Sequence, residues 1–363
     1  MKPNKPIIIS VTIPVHNTAE YLPKCLDSLL AQTYPHWEVV CVDDGSSDGS
    51  LDILQSYAAR DKRFKVYHQD AQGVSAARNT ALMHSTGDFI TSLDSDDYIH
   101  PELYEKAVSL ITPEVDLVCY GIQCVDVDGK NLPDHDGYYE MGYEGTHDFR
   151  AEMTERINVC IWSKLWRKSI IDEQNIQFPV GLVHEDDALF YMYAPFVRKA
   201  AFMQEVGYYY VQRNGSIMHS GRKTIADAEQ YLGILRYVQQ FYQAHGIDVL
   251  HGGYFLRQFG RVYHLVERYC PPSQSYELAS MFRELASETG LDSAHAGDQR
   301  LRCLYLPGKL ARFFVRRRSD MTQYRLGPFP IASRRYKNGR FTGWRFDAWH
   351  ALRTLMRRCF PSR

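Results

Sequence analysis

The chain has no apolar run approaching the roughly 18 residues of a membrane-spanning helix. Its first apolar segment, Ile7 to Val15, is interrupted by Ser10, Thr12 and Pro14. No secretory leader is expected either, because that segment lacks a small-residue cleavage site and runs straight into a domain pattern. The eight cysteines form no C-x-x-C pair and mostly sit inside apolar runs, which argues against a zinc or disulfide framework and for reduced core thiols. Repeats and low-complexity segments are missing as well. Acid is scarce in one place only: residues 301–363 hold Asp320 and Asp347 against sixteen Lys and Arg, so the total charge of -1 hides an acidic body and a strongly basic end.

What is present is ordinary in bulk, with 45% hydrophobic and 23% charged residues in 363, enough for two domains or for one domain with an appendage. The opening alternates between strand and helix patterns. Ile7 to Pro14 reads as a buried strand, and Leu22, Cys25, Leu26 and Leu29 then recur at helical spacing. Trp37 to Val42, Phe64 to His68 and Asp88 to Leu93 give three further strands. Helices around Leu51 to Tyr57 and Val74 to Ser85 separate them, the second stopping before Gly87. Such alternation implies an α/β fold with a mostly parallel sheet, whose ligands sit beyond the carboxyl ends of the strands. From Val115 the pattern turns into an expected hairpin, Asp116 to Gln123 against Val125 to Val127. After a boundary near 215 to 222, helices are expected over 224–245, 253–269 and 274–289.

Polar clusters fall where a parallel sheet binds ligands. Pro14, Val15, His16 and Asn17 follow the first strand, Asp43 and Asp44 the second, and Asp94, Ser95, Asp96 and Asp97 the fourth. Carboxylates crowded at a strand end suit Mg²⁺ or Mn²⁺, which takes hard oxygen ligands and fills its shell with water and substrate phosphates. The plainer reading is an acidic turn in which Asp97 and Pro101 begin the next helix. A second cluster, Glu185, Asp186 and Asp187, opens a helix, where acids are favoured by the free N–H groups and the dipole.

Five blocks decide between these readings: Val11 to Asn17, Gln32-Thr33-Tyr34, Val42 to Ser50, Gly73 to Asn79, and Leu93 to Asp97. In order and spacing they resemble the family 2 glycosyltransferases of the GT-A fold, with a weaker likeness to about residue 220. The resemblance implies that Asp44 accepts from a uracil N3–H and that Arg78 contacts the nucleotide. It implies that Asp94 and Asp96 form a D-x-D motif, Asp96 ligating the metal and Asp94 assisting at the ribose or a metal-bound water. Asp186, with Glu185 as second choice, is then the general base of an inverting displacement. Lys164 in Trp162-Ser163-Lys164-Leu165 is a diphosphate or acceptor contact, or a strand-end lysine. In Gln212 to His219, Arg213 faces phosphate and His219 completes the metal shell, although Met218 departs from the usual Thr.

The processive synthases of that family carry membrane spans and a Q-x-x-R-W motif, and this sequence has neither. The expectation is therefore single addition of a sugar from a nucleotide sugar, a UDP-sugar above all. The acceptor is a glycan or lipid-linked glycan of surface polysaccharide or lipopolysaccharide, met at the cytoplasmic face of the plasma membrane. Three regions are expected: a GT-A domain over 1–220 with donor and acceptor halves meeting near 115, a helical extension over 221–300, and a basic tail over 301–363. In the tail, aromatic and basic residues are read at helical spacing as an interfacial helix on anionic lipid, in preference to nucleic acid. The alternatives are a nucleotidyltransferase, which would need a Gly-rich phosphate loop that Pro14 to Asn17 does not supply, and a non-catalytic nucleotide-sugar-binding or scaffold protein.

Overall fold

A computed structural model of the chain describes residues 5–133, 142–213, 225–248, 253–269 and 275–291, together with four strands between 313 and 346. The described part divides into two compact units, one formed by Met1–Arg222 with Ala226–Val262 and the other by Lys223–Ile225 with Tyr263–Arg363.

In the first unit the expected alternation is present: β1 (Ile9–Val15), α1 (Leu22–Leu30), β2 (Trp37–Asp44), α2 (Ser50–Arg60), β3 (Phe64–Gln69), α3 (Val74–His84) and β4 (Phe89–Ser92). Every residue of β2 is buried, as expected of a Val-rich strand covered on both faces. The i, i+3, i+4, i+7 set Leu22, Cys25, Leu26 and Leu29 is the buried face of α1. Strands β1, β2, β3 and β4 pair in parallel in the spatial order β3-β2-β1-β4. The chain thus winds outward from β1 to β3 and returns to the other side of β1, leaving the crevice between β1 and β4 at a topological switch point.

The sheet continues through β5 (Tyr98–Ile99), β6 (Val115–Val125), β7 (Gly145–Asp148), β8 (Lys164–Arg167) and β9 (Lys199–Val211) in the order β4-β8-β6-β9-β5, with β7 on β9. Between them run α4 (Leu103–Ser109), α5 (Lys168–Glu173) and α6 (Glu185–Tyr193). The hairpin expected after Val115 is corrected here. β6 is one long strand whose partners are the distant β8 and β9, and its local return is a single bridge between Val125 and Asn131. The turn signal at Asp128-Gly129 was sound, with Gly129 at φ +84°, but β9 supplies the pairing that a local return leg would have made.

Helices α7 (Ile225–Ala244), α8 (Tyr254–Tyr269) and α9 (Ser275–Glu288) lie where the periodicity places them. α7 and the first half of α8 group with the sheet instead of forming a separate extension. The Tyr242 hydroxyl donates to the Tyr191 carbonyl at 2.7 Å, and His184 stacks on Tyr231 with centroids 4.0 Å apart. In the second unit β10 (Phe313–Arg318), β11 (Met321–Leu326), β12 (Phe329–Lys337) and β13 (Arg340–Phe346) form an antiparallel meander. The interfacial helix expected there is overturned for these residues. Short runs rich in Phe, Val, Tyr, Thr and Trp, separated by Ser-Asp, Gly-Pro and Asn-Gly pairs, are hairpin chemistry rather than helix chemistry.

Candidate active site

The ends of β1 and β2 are clasped together by the turn residues themselves. His16 Nδ1 lies 2.7 Å from the Asp44 carbonyl, and the Ser47 N–H donates to Asn17 Oδ1 at 2.8 Å. Asn17 adopts a left-handed φ of +54°, a region Asn enters more readily than most residues. Asp44 is buried and acts on the loop before α3, accepting from the N–H of Gln72 and of Gly73 and from Gln69 Nε2 at 2.8 to 2.9 Å. Gly45, at φ +71°, leaves room for that loop; a Cβ there would stand 2.8 Å from the Ala71 nitrogen.

Beyond β4 each acid has a different task. Asp94 Oδ1 accepts from Arg78 at 3.0 Å and Asp96 Oδ2 from Arg213 at 2.7 Å. Burial and the neighbouring Asp94 raise the Asp96 carboxyl above the usual range. The Ser95 hydroxyl is buried and accepts from Thr18 at 3.0 Å. Asp97 does not begin a helix. Its buried carboxylate accepts from the Tyr208 hydroxyl at 2.6 Å and the Val211 N–H at 2.7 Å, fixing the end of β9 from which Arg213 follows, and α4 starts only at Leu103.

The second acidic cluster opens α6 behind His184, itself left-handed at φ +69°. The buried Arg78 guanidinium of α3 reaches it: Nε donates to Glu185 Oε1 at 3.2 Å, Nη2 to Asp94, and Nη1 to Ser92 Oγ at 2.6 Å. Burial works against the charge of Arg78, yet Asp94 and Glu185 outweigh it and hold its pKa above the usual value. Asp186, next along, is pushed up to about 7 by burial and then by Glu185, with Arg78 and Arg261 pulling the other way. Asp187 is buried and pairs with Arg261 of α8.

One expected contact is near Asp186 but closed to a ligand. Lys164 has no exposed surface, and its ammonium donates to Asn158 Oδ1, the Cys160 carbonyl and Ser163 Oγ at 2.7 to 2.9 Å. All three N–H groups are committed inside the fold, so none is left for a diphosphate. His219 lies outside the described residues. A cavity of about 500 Å³ lined by Tyr143, His147, Asp148 and Arg150 sits beside β7, which pairs with the first residues of β9. Asp97 and Arg213 lie at the other end of that strand, about 30 Å away at strand spacing.

The acidic pair fits a hard divalent cation. Asp94 and Asp96 each commit one oxygen to an arginine, and the other takes no side-chain partner among the described residues. No cluster of three His, Cys, Asp or Glu residues stands ready for a metal among those residues, so the fit is to an ion that shares its shell with water and diphosphate rather than to a closed protein cage. Sequence reasoning missed Ser92, Tyr208 and Arg261. Tyr208 bonds Asp97 across 111 positions and also accepts the Asp94 N–H at 3.2 Å. No local pattern announces such pairs.

Residues 10–174 match the family model for glycosyl transferase family 2. The chain is 33% identical over 225 residues to the putative glycosyltransferase EpsH of Bacillus subtilis, covering 61% of this chain and 65% of EpsH. It is 32% identical over 221 residues to the glycosyltransferase GlyA of Streptococcus pneumoniae, covering 58% of this chain but 31% of GlyA. The fold is similar to that of S. aureus TarS 1-349, solved in complex with UDP-GlcNAc, with a TM-score of 0.56 at 21% identity over 93% of this chain and 99% of that one. The D-x-D pair at the switch point of the sheet thus falls within residues 10–174, the segment that matches glycosyl transferase family 2.

Proposed function

We propose that the chain is a divalent-metal-dependent, inverting glycosyltransferase that moves one sugar from a nucleotide sugar to a glycan or lipid-linked glycan hydroxyl. The observation that carries this reading is the Arg78 guanidinium, which joins Asp94 of the donor pair to Glu185 beside Asp186. A carboxyl pushed up to about 7 is matched to taking a proton at neutral pH. In the reaction the Asp186 carboxylate removes the proton of the acceptor hydroxyl as its oxygen attacks the anomeric carbon. The bond from that carbon to the diphosphate oxygen breaks on the opposite face, so the anomeric configuration inverts. Asp96 and Asp94 would hold Mg²⁺ or Mn²⁺, which would supply positive charge at the diphosphate. Arg213, on Asp96, adds a guanidinium to the same side.

The turn from Pro14 and Val15 to His16 and Asn17, with Asp44 and Ser95, frames the nucleoside end, and a uridine diphosphate sugar is the donor we propose. TarS 1-349, of similar fold, was crystallised with UDP-GlcNAc. Among the described residues no helix is long and apolar enough to cross a membrane. We place the enzyme peripherally at the inner face of the plasma membrane, held to anionic lipid by its basic end, in surface-polysaccharide or lipopolysaccharide synthesis. The test is release of nucleoside diphosphate across a panel of UDP-, GDP- and dTDP-sugars before and after EDTA treatment. One UDP-sugar turned over, silenced by EDTA and restored by Mg²⁺ or Mn²⁺, is the expected result. Turnover by the metal-stripped enzyme contradicts the role given to Asp96.

A further inference from the structure

The meander β10–β13 carries eight arginines and Lys337 in its strands and not one acid. Directly paired residues of an antiparallel ladder share a face. The register therefore sorts these charges. Arg316 pairs with Gln323, Gln323 with Ser333, and Ser333 with Arg345, which makes one cross-strand row. Arg318, Met321 and Arg335 make the next row on that face, and Arg325 sits opposite Phe314 beyond the first. Five arginines, from all four strands, thus share one face. The other face takes Val315, Tyr324, Ala332 and Phe346 in one row, and Arg317, Thr322, Arg334 and Trp344 in another. The arginines are thus weighted to one face, five against Arg317 and Arg334 on the other.

From these placements we infer that the face bearing Arg316, Arg318, Arg325, Arg335 and Arg345 is a docking surface for the phosphodiester headgroups of an anionic bilayer. Two features favour a bilayer over a single polymer chain. The arginines spread in two dimensions, across about 14 Å between the outer strands and about 7 Å between rows, matching a planar array of phosphates better than a line of them. All five are arginine, whose planar guanidinium forks onto phosphate oxygens where lysine offers a point charge. The inference rests on the membrane reading proposed above and assigns it to one side of one sheet.

The test compares the intact chain with two double variants that remove equal charge from opposite faces, Arg316→Gln/Arg345→Gln and Arg317→Gln/Arg334→Gln. The probe is sedimentation with phosphatidylcholine vesicles carrying about a third phosphatidylglycerol. Each headgroup-facing arginine contributes roughly fivefold to binding near such a surface, so the first variant should bind on the order of 25-fold more weakly and the second within about threefold of the parent. Arg316→Lys/Arg345→Lys, which keeps the charge and guards against loss of folding, should fall in between. Equal weakening by both double variants overturns the face assignment while leaving membrane attachment standing. No vesicle binding by the parent overturns both. Capture of the parent by soluble polyphosphate but not by vesicles overturns the bilayer in favour of a polymer.

Discussion

Replacing Arg78 with methionine is the perturbation whose consequences follow most directly from the geometry. Three bonds are lost at once, to Ser92, Asp94 and Glu185, and two carboxylates lose their counter-charge. Removing one member of a buried ion pair costs about 3–5 kcal/mol. Asp94 and Glu185 keep 27% and 13% of their side-chain surface in contact with solvent, so water recovers part of that cost and a loss of about 2–3 kcal/mol is expected. In a chain of this size that lowers Tm by roughly 3–4 °C. The kinetic effect has a definite sign. Arg78 pulls the Asp186 carboxyl down from where burial and Glu185 would put it, so without Arg78 the group ionises at higher pH. The acid limb of the kcat/KM profile should move to higher pH, each unit of movement corresponding to ~1.4 kcal/mol of lost stabilisation of the carboxylate. Arg78→Lys, with its charge but no fork, should restore part of the limb position and less of the stability. Nucleoside diphosphate release measured from pH 5.5 to 9 reads this out. A variant that is slower by a constant factor at every pH, with the limb unmoved, refutes the link between Arg78 and the base and leaves Arg78 as a donor contact alone.

Asp186→Asn should stabilise the fold above pH 7. The carboxyl is raised in the folded chain from an ordinary value near 4 to about 7, so the ionised form weakens folding as pH rises through that window. Thermal melts at pH 8 should show a higher Tm for the variant, and melts near pH 4 should show none of the gain. Lys164→Met should leave the KM for donor within twofold of the parent and lower stability by about 2–4 kcal/mol, because Asn158, Cys160 and Ser163 each lose a buried hydrogen bond. A tenfold rise in donor KM at unchanged Tm would falsify the structural role given to Lys164.

The parts of the fold legible in the sequence are those set by local periodicity. The fully buried β2 announces itself as an unbroken apolar run, the α1 face as an i, i+3, i+4 repeat, and α7 to α9 as long helical patterns. The strand ends then locate the polar clusters, since a parallel sheet opens its crevice only there. What was not legible is pairing at long range. Asp97 looks like a helix cap because Asp is common at caps, and nothing nearby shows that Tyr208 and Val211 will bind it. Lys164 resembles a ligand until the three acceptors around its ammonium are seen. The strands of the basic end are not legible because arginines next to aromatics fit a helical wheel as easily as a ladder, although Asn338-Gly339 between two β-rich runs is a hairpin signal.

The account stands most directly on Asp186 as the base that deprotonates the acceptor. Its test is donor turnover by Asp186→Asn, with donor affinity measured separately by calorimetry in the presence of Mg²⁺ or Mn²⁺. The account predicts a loss of about 10²–10⁴ in kcat with donor Kd unchanged, because Asp94, Asp96 and Arg78 remain in place. Full turnover by Asp186→Asn, accompanied by loss in Glu185→Gln, contradicts it and moves the base to Glu185.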